Sequence, residues 1–120
     1  MANELTVSAS LAFAKTTYAV DMAKTGFQCT VTGTKFVHNV QAIGFAAEEA
    51  IQLGDVGTPG YAIFVNRDAT NYVTIRPATG VADCIKLKPG DVAMFRFACA
   101  APFAIAAVAA CNIEYVIIED

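Results

Sequence analysis

Three clusters of turn-forming residues interrupt the middle of this chain: Gly54-Asp55-Val56-Gly57-Thr58-Pro59-Gly60, Arg67-Asp68-Ala69-Thr70-Asn71 and Lys88-Pro89-Gly90-Asp91. Gly and Pro break regular structure, while Asn and Asp side chains bond their own backbone and favour turns. The runs between them are short and rich in β-branched and aromatic residues: YAIFVN at 61–66, YVTIRP at 72–77, then 84–87 and 92–99. Such spacing leaves room for strands and none for a helix of ordinary length. Pro89 and Gly90 also stand where a type II turn takes Pro and Gly.

Elsewhere the pattern is also that of strands. Residues 4–13 alternate strictly, with Leu5, Val7, Ala9, Leu11 and Phe13 on one face and Glu4, Thr6, Ser8 and Ser10 on the other, which predicts a half-buried strand. Residues 14–26 are mixed and read as a loop with a short strand around 17–20. Residues 27–32 alternate up to Gly33-Thr34 and 35–43 resume a β-branched run, so the two segments read as a hairpin. AAEEAIQL at 46–53 has helix propensity but is closed by Gly54, and one helical turn or an irregular strand is expected. The Ala-rich tract after Phe97 is broken by Pro102 and followed by Ile113, Val116, Ile117 and Ile118, which favours two further strands at 103–110 and 111–118. Small side chains there would let another sheet approach closely. The expected fold is all-β: one domain over 1–120, an antiparallel β-sandwich or jelly-roll-like barrel of about eight strands, with a partner-contacting N-terminal strand at 3–13.

Hydrophobic residues make up 56% of the chain and charged ones 16%, more apolar surface than a small core easily hides, so subunit interfaces and a homo-oligomer are expected. Leu5, Val7, Leu11 and Phe13 are the candidate partner contacts. The net charge of −3 and scattered Lys and Arg argue against nucleic acid. The longest uncharged apolar stretch, Phe97 to Cys111, contains Pro102 and falls short of the ~20 residues that cross a bilayer, so no membrane partner is expected. The N-terminus lacks a basic segment before an apolar one, which makes a cytoplasm the expected place of synthesis.

Reactive constellations are sparse. Cys29, Cys84, Cys99 and Cys111 form no CxxC pair and His38 is the one histidine, so zinc-ligand spacing is lacking and buried thiols are the expected state. Cys29 with His38 would make a nucleophile and base only with an orienting group that no motif supplies. Glu48 and Glu49 are adjacent and diverge on either a strand or a helix. Asn66, Asp68 and Asn71 offer oxygen ligands for calcium, but stabilising their own turn is the simpler role. Tyr61, Phe64, Tyr72 and Phe95 could line a sugar-binding face or lie in the core. Neither catalytic residues nor a cofactor are expected.

From residue 47 to 97 the chain resembles small structural proteins encoded in the virion gene clusters of tailed bacteriophages. The resemblance is carried by EEAIQLGDVGTPGYAIFVNRDATNYVTIRP and IKLKPGDVAMFRF: Gly57, Pro59 and Gly60 match a loop, Asn66, Asp68, Asn71 and Tyr72 a hairpin, and Pro89, Gly90 and Asp91 a later turn. It implies a non-enzymatic β-sandwich subunit of the virion, a capsid decoration (cement) protein in the first place, or a tail or head-fibre component. Implied partners are other virion proteins such as the major capsid protein, and further copies of the chain, with a trimer among the candidate symmetries. A carbohydrate-binding module is the alternative from a different class.

Overall fold

Strands carry the regular structure throughout, as the turn punctuation requires: the computed structural model describes residues 3–120, and they contain ten antiparallel strands and no helix. Met1 and Ala2, counted in the expected domain, lie outside the described residues. The chain divides into two compact units, Met1–Thr32 and Gly33–Asp120.

The first unit is one long hairpin of β1 (Leu5–Lys15) and β2 (Tyr18–Cys29). Strand β1 confirms the alternating segment, but its expected half-burial is corrected: Leu5 and Val7 are half-buried, and from Ser8 onward it is exposed on both faces. The loop expected over 14–26 is a turn at Thr16-Thr17 followed by strand. That turn escaped notice because it lacks Gly, Asn and Pro; Thr16 itself takes a left-handed φ of 53°, a conformation β-branched residues rarely adopt. The hairpin expected around Gly33-Thr34 is also corrected. Residues 27–29 pair with β1, and the run after Lys35 pairs elsewhere.

The second unit contains β3 (Phe36–Ile43), β4 (Glu49–Ala50), β5 (Pro59–Asn66), β6 (Val73–Arg76), β7 (Ile85–Leu87), β8 (Val92–Arg96), β9 (Phe103–Ala106) and β10 (Cys111–Glu119). One sheet has the order β3-β10-β5-β8 and the other β4-β9-β6-β7. Six of the seven connections cross between sheets, the exception being β6 to β7. The pairs β3 with β10, β4 with β9, β5 with β8 and β6 with β7 are those of one long hairpin rolled over on itself, the jelly-roll arrangement of a β-sandwich. The AAEEAIQL segment contributes only the two-residue β4, the irregular-strand outcome.

Alternation fills the space between the sheets. Cys111, Ile113, Tyr115 and Ile117 of β10 are buried, with Asn112, Glu114, Val116 and Ile118 facing away, and Ala62 and Phe64 of β5 join them. Val73, Ile75, Leu87, Ala104 and Ala106 come from the second sheet. Phe64 stacks on Phe95 at 5.7 Å and on Tyr115 at 5.2 Å, while Phe97 stands edge-on to Phe95 at 4.9 Å. Such offset and edge-on pairs add to the burial of their area. The alanines of the Ala-rich tract take the packing role expected of small side chains, since Ala104 and Ala106 are buried on β9.

Candidate assembly surface

Two of the three turns that the resemblance singles out, at 66–71 and 88–91, converge around Asn66, a buried side chain at the end of β5. Its Nδ2 donates to the carbonyls of Asn71 (3.0 Å) and Leu87 (2.9 Å), and its Oδ1 accepts from the Asp68 N–H at 2.9 Å. Its main chain exchanges bonds with the second turn: Asn66 N–H with the Asp91 carbonyl at 3.0 Å, and Gly90 N–H with the Asn66 carbonyl at 3.1 Å. The Asp68 carboxylate accepts from the N–H groups of Asn71 and Thr70, which hold its pKa below the ordinary value. Asp91 N–H donates to Lys88 carbonyl at 2.9 Å and Gly90 has φ +80°, the geometry of the expected type II turn. The segment matched as a hairpin is instead a crossover, because β5 and β6 belong to different sheets. Of the oxygens considered for calcium, Asn66 Oδ1 and Asp68 Oδ2 are engaged with backbone N–H groups of their own turn.

Gly57, Pro59 and Gly60 meet the C-terminal end of β10. Glu119 accepts from the N–H of Gly57 at 2.8 Å and of Thr34 at 3.0 Å, and these donors lower its pKa. Asp120 N–H reaches the Thr58 carbonyl at 2.9 Å. A Cβ on Gly60 would stand 3.0 Å from the Ile118 carbonyl oxygen, a contact so tight that the backbone of β10 would have to give way. Both motif clusters therefore act as junctions of the sandwich.

The groups considered for chemistry are bound into ion pairs or the core. His38 Nε2 lies 2.9 Å from Glu114 Oε2, and His38 together with Arg67 depresses the Glu114 pKa. Glu48 engages Arg76 at 2.7 Å and the Gly80 N–H, while Glu49 turns to the Gly44 N–H, so the two neighbours diverge as expected. Phe64 is buried, Phe95 stacks on it, Tyr61 lies beneath Arg96 at 4.7 Å and Tyr72 beneath Lys86 at 4.1 Å. The expectation of four buried thiols is corrected: Cys111 is buried, Cys29 and Cys99 are half-buried and Cys84 is exposed. Among the described residues no group of three or more His, Cys, Asp or Glu is arranged to hold a metal.

Between edge strands β7 and β8 the sandwich opens into an apolar cleft of about 460 Å³, lined by Ile75, Pro77, Ile85, Phe95 and Phe97 with Cys84 and Cys99 at its wall. Burial raises the Cys99 thiol pKa, with the nearby Cys84 adding to it, which keeps Cys99 protonated and a poor nucleophile near neutral pH.

The larger apolar surface is on the hairpin. Cross-strand pairs share a face, and the register aligns Leu11 with Met22 and Phe13 with Val20. Between Val7 and Ala9 the register shifts: β1 advances by two residues while β2 advances by three, from Phe27 to Lys24. This is a β-bulge, with Gly26 at φ +68° and its N–H on Ser8 Oγ at 3.0 Å. Without it Phe27 and Cys29 would face away from Val20 and Met22. With it, the candidate contacts Leu5, Val7, Leu11 and Phe13 share one face with Tyr18, Val20, Met22 and Phe27. The other face carries Thr6, Ser10, Asp21 and Gln28. The four β1 residues were legible from alternation; the β2 half was missed because the bulge breaks the period of two.

The chain was compared with protein families, curated proteins and solved structures, and none matches.

Proposed function

We propose that this chain is a non-enzymatic structural protein of a bacteriophage virion, a capsid decoration (cement) protein that stabilises the head through subunit contacts. The observation that carries the reading is the hairpin: long strands with an apolar face left in water, a feature monomeric proteins seldom keep unless it meets a partner. Within the jelly roll the turns are tied by a buried side chain and by the C-terminal strand, which suits a structural subunit. The resemblance in residues 47–97 supplies the virion context, and the residues that carry it do structural work. The major capsid protein is the proposed docking partner on the particle.

Purified particles of the phage that encodes this chain provide the test. Antibody labelling in the electron microscope, with mass spectrometry of the particles, is expected to place the chain on the head in many copies. Label at the tail would move the assignment to a tail or fibre component. Recovery solely in the soluble fraction, with no copies on particles, would overturn the virion reading.

A further inference from the structure

We infer that the β1–β2 hairpin is a homotypic assembly surface, its apolar face covered by the same face of a second copy of this chain. The inference deepens the assembly reading and rests on it for the class of partner, a protein. Leu11 is 67% exposed, Tyr18 72% and Met22 75%, and Phe13, Val20 and Phe27 are exposed beside them. These six side chains leave on the order of 700 Å² in water, more than a monomer usually shows in one patch and close to the ~800 Å² each partner gives to a standard interface.

Two observations favour a second copy as the occupant. First, the face is the right size for one side of an isologous contact, in which the same patch serves both subunits. Second, among the described residues β1 and β2 form a sheet with no third strand, and a two-stranded hairpin in water is marginally stable by itself. A partner that completes its folding must be present wherever the chain is made, and another copy always is. Lys24, paired with Ala9, and Lys15, paired with Tyr18, share this face, where lysine stems can extend an apolar surface with the ammonium left in water. The bulge at Gly26 gives this face its length by bringing Phe27 onto it.

Light scattering of the full-length protein over a dilution series gives the test, with Leu11→Glu, Met22→Glu and, on the polar face, Ser10→Glu. All three positions are exposed, so a carboxylate there leaves the folded subunit intact. The wild type is expected to form an oligomer. Leu11→Glu and Met22→Glu should raise its dissociation constant at least about tenfold, because each places a carboxylate in the apolar contact, while Ser10→Glu changes it little. Amide exchange should show residues 5–29 protected in the oligomer and unprotected in the two variants, with 36–119 unchanged. A wild type that stays monomeric at the highest concentration overturns the inference. So does an oligomer that both face variants leave intact, or one that Ser10→Glu breaks equally. A monomer that still binds phage heads would overturn this inference and leave the virion reading standing; a hairpin-dependent oligomer found on no particle would do the reverse.

Discussion

The side-chain amide of Asn66 donates to the Leu87 carbonyl at 2.9 Å, joining the end of β5 to the end of β7 across the two sheets. Because Asn66 is only 1% exposed, that bond and its partner to Asn71 have no water to replace them. Asn66→Asp keeps the shape and removes the donor, placing a carboxylate against two carbonyl oxygens. Its folded pKa would be raised, so the penalty is absent below the unfolded aspartate value of ~3.9 and grows as pH rises to the folded pKa. Chemical denaturation should find the variant about 2–4 kcal/mol less stable than wild type at pH 7, with the gap closing toward pH 4. A gap that is constant with pH would contradict this account.

Gly90→Ala isolates backbone strain from crowding. No atom lies within 4 Å of where its Cβ would stand, yet φ is +80°. The variant should lose about 1–2 kcal/mol, the cost of a left-handed conformation for a residue with a Cβ. Thermal unfolding that matches wild type would mean the turn relaxes to a different type.

Glu119 makes acid sensitivity a property of one junction. Its pKa is lowered by N–H donors from Gly57 and Thr34. A carboxylate with a depressed folded pKa stabilises the fold fully above its unfolded value, near 4.5, and the contribution disappears as pH falls through the folded pKa. Glu119→Gln should therefore be less stable than wild type at neutral pH, with the difference shrinking below pH 4.5. Urea midpoints measured on both proteins across that range would show the convergence; parallel curves would remove Glu119 from the acid response.

Tyr115 joins the core to β3 and to the β4–β5 connection. Its hydroxyl donates to the Gln52 carbonyl at 2.7 Å and accepts from Asn39 Nδ2 at 3.2 Å, and it lies 3.0 Å from Gln41 Oε1. Gln41 in turn bonds the backbone at Ala50 and Gln52, replacing the sheet ladder that the short β4 does not supply. Tyr115→Phe retains the ring stack on Phe64 and should cost about 1–2 kcal/mol, with faster amide exchange at Gln52. Unchanged exchange there would mean the hydroxyl holds nothing in place.

Class and local structure were readable from the chain because they rest on short-range physics. Turn chemistry at 67–71 and 88–91 depends on residues adjacent in sequence, and alternation along β1, β5 and β10 needs only a period of two. The misread segments were those where distant parts of the chain decide. Residues 27–43 look like a hairpin locally, but β2 pairs back to β1 and β3 pairs with β10, which the sequence places about seventy positions away. Thr16 turns the chain without a turn residue, and the bulge at Gly26 shifts the period in mid-strand, so the second half of the apolar face was hidden.

The sequence by itself determined that this chain makes β-structure, where it turns, and which β1 residues alternate into one apolar face. Tertiary structure decided how the strands are shared between two sheets, that Asn66 gathers two separate turns, and that the N-terminal face stays in water. The physical reason is that backbone preference and turn chemistry act over a few residues, whereas burial is settled by which other surface arrives to cover a strand. For β1 and β2 no third strand among the described residues adds to their sheet.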